Sequence, residues 1–459
     1  MFDKEVYMTA WSLFTDLGWI CALLLVGAFL RAKVPFIQSI FLPSSLIAGV
    51  LGLVLGPKML GIIPFSSEIS SYAGVLIAVV FAALPFTSKV ASLKGVMRSV
   101  GTMWAVSQSA VVLQWGVGLL FALGVVSIFF SSVPDGFGLM IATGFMGGHG
   151  TAAAIAESFG DRWPEAASLG MTAATVGIIV SVVGGIILIK IESMRGNTVY
   201  LSHFKDLPRS LRTGMIEPEK RESIASSPVS SMSIDPMIYH AGVLFAIAGL
   251  SYVISDWAGS MVEGLNIPTF SVAFIVGYLV FGVMTKAGAL RHFDTRLFER
   301  TSSSSTDLLV AFGIASIDPA IVVAYAGPLA LLMVFGIVAM VGFYFFVAKR
   351  FFTDHKVEQS VFTWGWGTGT VAMGIALLRV VDPQMRSKTL DYYGLAYIPI
   401  GFGDIAFVAL LPALIMAGLA WPAAITLTVA GVAILTAARL LRRKGAQSPD
   451  EVKVPAAVD

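Results

Sequence analysis

Long apolar stretches alternate with short polar or basic segments along almost the whole chain. A helix needs roughly 20 mostly apolar residues to cross about 30 Å of hydrocarbon, and most of these stretches have about that length. The pattern predicts eleven membrane-spanning helices, at about 11–30, 41–60, 71–88, 99–130, 166–189, 237–257, 268–285, 307–317, 319–347, 389–418 and 421–438.

Two further apolar segments, 136–156 and 361–378, are rich in glycine and are predicted to be re-entrant hairpins, which enter the bilayer and return to the same face. With both hairpins returning and the N-terminus outside, the cytoplasmic loops contain 27 of the 30 Lys and Arg residues. The exceptions are Lys4, Lys58 and Arg162. Because basic loops resist translocation, this bias predicts a periplasmic N-terminus and a cytoplasmic C-terminus.

The composition agrees with a polytopic membrane protein. Of the 459 residues, 56% are hydrophobic and 13% are charged, whereas soluble domains have about 45–50% and about 25%. The net charge of +2 gives no ground for expecting nucleic acid as a partner. Cys21 is the single cysteine, which excludes an internal disulfide. The N-terminus has no small-residue cleavage site, so we expect no removable signal peptide.

The two halves of the chain resemble each other. LPSSLIAGVLGLVLG at 42–56 aligns with IPTFSVAFIVGYLVFG at 267–282, and GHGTAAAI at 148–155 aligns with GTGTVAMG at 367–374. The first half has five predicted crossings, an odd number, so the second half enters from the opposite face. The sequence therefore predicts an all-α protein of two inverted five-helix repeats, an arrangement common in secondary transporters.

These repeats define a predicted division of the chain. It consists of a first repeat at 1–189, a cytoplasmic linker at 190–236, a second repeat at 237–418, an additional transmembrane helix at 419–441 and a disordered cytoplasmic tail at 442–459.

The hairpins combine glycine-rich turns with helix starts. Glycines crowd before Thr151 in the first hairpin and before Thr370 in the second, and we expect Thr151 to cap a short helix. A helix N-terminus has about half a positive charge and attracts anions. Two such termini entering from opposite faces predict a site for a small dicarboxylate or amino acid. The candidate substrate-binding residues are Gly147, Gly148, His149, Gly150, Thr151, Gly367, Thr368, Gly369 and Thr370.

Ionisable residues inside membrane segments are costly and therefore informative. Asp404 lies in the middle of a predicted span between glycines and is the candidate cation ligand. The freed carbonyls of Gly148 and Gly367 are suited to sodium, which prefers oxygen ligands. Arg379 either binds a substrate carboxylate or extends to the cytoplasmic interface. His149 contacts substrate, titrates with a coupled proton, or simply makes a hydrogen bond at the tip.

Four other polar residues are predicted to have simpler roles. Glu157 is expected to face the outer water, and Asp307 to cap a helix that begins at Leu308. Gln108 and Gln114 are expected to form hydrogen bonds between helices.

The sequence does not indicate an enzyme. It contains no Ser–His–Asp set, metal-binding histidine pair, phosphate loop or nucleotide-binding motif at credible spacing. An ion gradient is therefore the expected energy source for transport.

The chain resembles the bacterial sodium/glutamate symporter family. The resemblance rests on GGHGT at 147–151, the glycine-rich hairpin at 363–374, the proline-led spans at 43 and 268, FER at 298–300 and the late Asp404. It implies sodium-coupled glutamate uptake by a homodimer in the bacterial inner membrane, with a static scaffold and a moving domain that contains both hairpins.

The chain also departs from this family. The second hairpin reads GTGTVAMG in place of a longer glycine, threonine and proline pattern, and Arg379 replaces an uncharged polar residue. A proton- or sodium-coupled dicarboxylate carrier and a channel are the alternative functions.

Overall fold

The described part of the chain is helical. The structure is a computed structural model that describes residues 9–39, 42–87, 93–198, 200, 213–221, 223–230, 232–261, 268–383 and 385–445, with no β-strand among them. Nine helices in these ranges are long and apolar enough to cross a bilayer. The predicted all-α membrane protein is therefore confirmed, whereas the number of eleven crossings stays a prediction.

The main helices are labelled here in chain order. They are α1 (Ala10–Lys33), α2 (Ser44–Leu55), α3 (Ser71–Thr87), α4 (Leu93–Phe121), α5 (Gly148–Phe159), α6 (Ala166–Met194), α7 (Pro236–Met261), α8 (Thr269–Lys286), α9 (Thr295–Ala315), α10 (Pro319–Ala324), α11 (Ala326–Phe343), α12 (Lys356–Thr368), α13 (Val371–Val381), α14 (Thr389–Met416) and α15 (Ala420–Gly445).

Shorter helical segments extend or join these helices. The α-helical ones are Pro35–Ser39, Ser127–Phe129, Met140–Ala142 and Lys349–Phe351. Single π-helical turns occur at Ala122–Val126, Thr143–Gly147 and Tyr344–Ala348. The 3-10 turns are Ser67–Ser70, Asp135–Leu139, Gly160–Arg162, Pro218–Lys220 and Ala289–His292.

Residues 135–162 are one of the nine apolar segments, but they fold back on themselves. The rings of Phe137 and Trp163 lie 6.5 Å apart, and a Cβ added to Gly136 would lie 2.8 Å from Phe159. A continuous helix would separate residues 136 and 159 by about 34 Å. The two ends of the segment are therefore neighbours, as the predicted hairpin requires.

The second hairpin consists of α12 and α13, which pack against each other in opposite directions. A Cβ on Gly374 would lie 3.0 Å from the carbonyl oxygen of Phe362, and one on Gly365 would lie 2.7 Å from Gly374 Cα. Glycine at both positions lets the two short helices approach backbone to backbone. Both hairpins are longer than the predicted 136–156 and 361–378.

Helix α2 is shorter than the predicted span at 41–60. Its 12 residues correspond to about 18 Å, less than the thickness of the hydrocarbon layer. The helix ends at Leu55 because the following turn replaces helical hydrogen bonds, with the amides of Ile62 and Ile63 donating to the Leu55 carbonyl at 2.9 and 2.8 Å. The apolar stretch in the sequence is therefore longer than the helix that forms within it.

Helix α9 is longer than the predicted span at 307–317. It begins at Thr295 because the carboxylate of Asp294 accepts a hydrogen bond from the Arg296 amide at 3.0 Å, which caps the helix. Asp307 therefore lies inside the helix, and its predicted role as a cap is wrong. Its side chain instead interacts with Ser45 of α2.

The helices pack in two groups. The flanking group contains α1, α2, α3, α7, α8 and α9, and it has two apolar cores of its own. The hairpin group contains α4, both hairpins, α6, α11, α14 and α15, which surround most of the largest core. Where the groups meet, α5 lies against α3 and α6 lies against α9.

Part of the predicted linker at 190–236 is described, and it contacts the flanking group. The amide and hydroxyl of Ser226 donate to Asp294 at 2.7 and 2.6 Å. The Arg296 guanidinium, 2.7 Å away, and these two donors hold the pKa of Asp294 well below its usual range. Residues 199, 201–212, 222 and 231 of the linker lie outside the described residues, as do 446–459 of the predicted tail.

A buried ion pair joins the end of α6 to the segment that follows α11. Lys349 Nζ lies 2.8 Å from both carboxylate oxygens of Glu192, whose side chain is fully buried. The Asn197 amide donates to the same carboxylate at 2.7 Å. Burying a carboxylate is costly unless it is paired, so the lysine compensates for a charge that the fold has already enclosed.

We expect Lys349→Met to lower the free energy of unfolding by about 3–5 kcal/mol, because Glu192 would remain buried without its cation. The double variant Glu192→Leu, Lys349→Met should recover most of this loss, since it removes both charges. Thermal unfolding in detergent micelles measures the effect. Lys190→Met is the matched control, because Lys190 is an exposed lysine near the same end of α6. Equal midpoints for Lys349→Met and the control would contradict the prediction.

Candidate functional site

Helix α6 lies between the two hairpins, and it has a glycine, Gly177, at the point where both of them approach it. A Cβ on Gly177 would overlap the carbonyl oxygen of Gly144 in the first hairpin and would lie 2.9 Å from that of Thr368 in the second. One backbone carbonyl from each hairpin can therefore pack against the same residue of α6. Sequence reasoning missed Gly177, because it is one of several small residues in an ordinary apolar span.

One helical turn farther along α6, Ser181 forms two hydrogen bonds with the second hairpin. Its hydroxyl donates to the Gly365 carbonyl at 2.8 Å, and its own carbonyl accepts from the Trp364 indole at 3.0 Å. A Cβ on Gly369 would lie 2.7 Å from Ser181 Cβ. These contacts fix the approach of the second hairpin to α6.

The tips of the two hairpins touch. A Cβ on Gly148 would lie 3.3 Å from Thr370 Cγ2. Gly148 has φ 63° and ψ −165°, a conformation that is essentially restricted to glycine. Two of the sequence-predicted substrate-binding segments, 147–151 and 367–370, are thus brought together.

The first tip differs from its prediction at Thr151. Helix α5 begins at Gly148, three residues before Thr151, so the predicted capping role of this threonine is wrong. The side chain of Thr151 instead lies over Gly147, whose added Cβ would come within 2.5 Å of it. The turn closes early because glycine allows the positive φ at position 148.

The second tip begins its outgoing helix at Thr370, which is the N-cap residue of α13. Just before it, the Gly367 carbonyl accepts a hydrogen bond from Gln114 Nε2 at 2.7 Å. This bond confirms the prediction that Gln114 joins helices. The Thr368 hydroxyl donates back to the Trp364 carbonyl at 2.7 Å, so it stabilises the end of α12.

His149 is almost fully buried at the first tip, with 3% of its surface exposed. Its Nε2 lies 3.1 Å from the hydroxyl of Thr175 on α6. That hydroxyl donates its proton to the Met171 carbonyl at 2.9 Å, so Nε2 must be the donor to it. Nε2 therefore has a proton, and in the neutral imidazole Nδ1 is an acceptor.

Asp404 lies on α14 and faces α4. Its Oδ1 is buried and has no hydrogen-bond partner among the described residues, and the same holds for the indole nitrogen of Trp115, which lies near the carboxylate. A buried acceptor without a partner costs about 1–3 kcal/mol, more if charged. Gln114, the neighbour of Trp115 on α4, contacts the second tip, so this helix connects Asp404 to the hairpins.

The structure places Arg379 and Glu157 away from the tips. Arg379 is in the last turn of α13, about 13 Å along the helix from Thr370. Glu157 does not face open water as predicted, because its carboxylate accepts a hydrogen bond from the Thr269 amide at 2.7 Å. The signal that could have indicated this contact is the proline before Thr269, since proline leaves the start of a helix without a side-chain acceptor.

A cavity of about 250 Å³ lies beside Gln114, between α4 and α11. Its wall is almost entirely apolar, with residues such as Val117, Phe335 and Phe343. A charged amino acid would lose its hydration there without compensation. The tips of the hairpins are therefore the better candidate site for an anion.

Comparisons with known proteins bear on the family of the chain. The sequence model of the family described as sodium/glutamate symporter matches residues 11–381, which include both hairpins. Comparison with curated proteins gives no match. Among solved structures, a sodium proton antiporter from Methanocaldococcus jannaschii aligns over 87% of this chain and 99% of its own, with 15% sequence identity and a TM-score of 0.36. A likeness this weak does not bear on fold or function.

We expect Gly148→Ala to destabilise the protein by about 1–3 kcal/mol, because alanine adopts this backbone conformation only with strain. Gly150→Ala is the matched control at the same tip, since its Cβ would make an ordinary contact 3.4 Å from Ile77. Thermal unfolding in micelles compares the two variants. If both lowered the midpoint equally, the conformation of Gly148 would not be the cause.

Proposed function

The chain belongs to the sodium/glutamate symporter family, and from this membership we propose that it takes up L-glutamate, or a close anionic amino acid, together with sodium. Membership makes the chain a membrane transporter, and the family's coupling ion is sodium. The observation that carries the proposed substrate site is the meeting of the two hairpin tips at Gly148 and Thr370.

The tips suit an anion because each one starts a helix. Helix α5 begins at Gly148 and α13 begins after Thr370, so the two helix N-termini lie close together. The partial positive charge of each N-terminus acts strongly where water is excluded. In this proposal the amides of 147–151 and 367–370 bind the carboxylates of glutamate, and His149 orients the first tip through Thr175. Arg379 would attract the anion from the base of the second hairpin.

Sodium has two candidate sources of oxygen ligands near the tips. The carbonyls of Gly144 and Thr368 both face Gly177, and the carboxylate of Asp404 has a buried oxygen without a partner among the described residues. Hard cations prefer such oxygens, and broken helices supply them in other transporters. In our proposal Asp404 binds sodium together with the carbonyls at positions 148 and 367, which are close in sequence to Gly144 and Thr368 at the same two tips. The Gly367 carbonyl already accepts from Gln114, but its second lone pair remains available.

Alternating access by two inverted repeats is the proposed mechanism. In the two repeats, α2 corresponds to α8 and α3 corresponds to α9. The pair of α2 and α9 is therefore equivalent to the pair of α8 and α3, and both pairs are in contact. Likewise α1 packs on α2 as α7 packs on α8. This correspondence supports the repeat. The two apolar cores that the flanking group forms by itself support an elevator movement of the hairpin group along it.

The assembly and the location also remain proposals. A homodimer in the bacterial inner membrane follows from the family resemblance, with the flanking group as its static scaffold. The bias of 27 of 30 basic residues toward one side supports a periplasmic N-terminus and a cytoplasmic C-terminus.

A coupled dicarboxylate carrier is the second candidate. Two helix N-termini, one from each hairpin, would suit the two carboxylates of such a substrate as well as those of glutamate. A channel is less well supported, since the contact between Gly148 and Thr370 leaves little space between the tips.

Uptake by purified protein in lipid vesicles tests the proposal. Labelled glutamate is supplied with an inward sodium gradient, with a proton gradient, or with neither. We expect accumulation that requires the sodium gradient. Accumulation of succinate but not glutamate would favour the dicarboxylate carrier, and passive equilibration without saturation would favour a channel.

We expect Asp404→Asn to weaken the sodium dependence of uptake at least tenfold, because the amide loses the negative charge that attracts the cation while keeping its size. The sodium concentration for half-maximal uptake is the measurement. Asp391→Asn is the control, since Asp391 is an exposed aspartate in the first turn of the same helix. Wild-type sodium activation of Asp404→Asn would remove this residue from the cation site.

A further inference from the structure

The hydrogen bond of Glu157 connects the two helix groups. Its Oε1 accepts from the backbone amide of Thr269, the first residue of α8, at 2.7 Å. Glu157 belongs to the outgoing helix of the first hairpin, whereas α8 belongs to the flanking group. A carboxylate at a helix N-terminus satisfies an amide that has no partner within the helix, and it also interacts favourably with the helix dipole.

The start of α8 has no acceptor of its own. Its N-cap residue is Pro268, and proline has no side-chain oxygen. An acceptor for a free amide at this end of the helix is thus provided by a residue 112 positions away in the sequence. The side chain of Thr269 contacts the same carboxylate. The first hairpin therefore provides the missing cap of a helix in the other group.

The other contacts described at this boundary are weaker, or one of their partners lies in the connection between the two groups. Gly150 lies against Ile77, and Gly313 lies against Met171, so these contacts are apolar. The amide of Asp318 donates to the hydroxyl of Ser168 at 3.0 Å. That bond involves no charge on either partner atom, and Asp318 lies in the connection between the groups, just before α10. Glu157 contributes a contact through a carboxylate oxygen.

In the sequence alignment of the two halves, Glu157 has no carboxylate as its counterpart. The alignment of GHGT with GTGT places Gly148 on Gly367, and it therefore places Glu157 on Ala376. Helix α2, the counterpart of α8, also begins after a proline. The side chain of Ala376 has no oxygen with which it could cap α2. A movement that exchanged the roles of the two hairpins would break the Glu157 bond without forming its counterpart.

We propose that Glu157 is a latch that selectively stabilises the conformation seen here and must release Thr269 when the hairpin group moves. The latch rests on the proposed alternating access, but it does not depend on the identity of the substrate or the coupling ion. Glu157 is a positioning residue, since it acts on the relative placement of the two groups. Only the conformation seen here contains this bond. Loss of the bond therefore shifts the equilibrium toward the other conformation by the free energy of the bond.

Distance measurements between spin labels test the latch. Labels are attached at Leu60→Cys in the flanking group and Asp161→Cys beside the first hairpin, in a Cys21→Ser background. Both positions are exposed. Electron–electron double resonance on the full chain in lipid nanodiscs, without glutamate or sodium, gives the distribution of distances. The outcome is therefore independent of whether glutamate is the substrate.

Two variants remove opposite ends of the bond. Glu157→Met removes the acceptor, and Thr269→Pro removes the donor at the first helical position, where proline is favoured. We expect each variant to raise the population of the other conformation, relative to the one seen here, by about tenfold. An effect of this size is typical of a carboxylate at a partly buried helix N-terminus. Glu157→Gln, which keeps an oxygen but no charge, should give an intermediate shift.

A control separates the latch from general effects. Glu68→Met removes a partly exposed carboxylate that bonds Ser71 within the flanking group. This control should retain the wild-type main population. Unchanged distributions in both Glu157→Met and Thr269→Pro would overturn the proposal, as would an equal shift in Glu68→Met. If one variant fails to fold, the other decides, because each removes the bond alone.

Discussion

A broken helix inside a bilayer has backbone groups that no water can reach, and the two hairpin tips are such breaks. The fold meets this constraint with donors from the neighbouring helices. Gln114 of α4 and Ser181 of α6 donate to carbonyls of the second hairpin at 2.7 and 2.8 Å. In the proposed mechanism, the remaining backbone groups of the tips bind the transported anion and its cation. The positions of α4 and α6 follow from this requirement.

Close approach to the tips in turn requires small residues. Gly177, Gly144 and Gly369 let α6 and the hairpins approach to a distance at which no side chain fits between them. Packing of this kind stabilises membrane helices in the absence of a hydrophobic driving force between them. The flanking group has two apolar cores of its own, and its described contacts with the hairpin group include the apolar ones of Gly150 with Ile77 and Gly313 with Met171. Such a division is compatible with movement along the boundary between the two groups.

The sequence predicted the features that depend on local composition. Glycine clusters located both hairpins, and apolar stretches located the helices, because both signals act over a few residues. The length of α2 and the start of α9 were missed, since a turn after Leu55 and a cap at Asp294 decide them. Glu157 was assigned to water because its partner, Thr269, is 112 residues away. A local sequence pattern cannot indicate a contact between residues so far apart in the chain. The roles of Asp404 and Arg379 stay predictions for the same reason.

The ion pair of Glu192 and Lys349 has a consequence for biosynthesis. The two residues are 157 positions apart, so the carboxylate is made well before the lysine. At about 5–20 residues per second, the interval is on the order of 10–30 s. Glu192 lies near the end of α6, where a newly inserted helix still reaches interfacial water. Its burial must therefore wait for the later half of the chain, and the tight packing of α6 against the second hairpin becomes complete only at a late stage of membrane assembly.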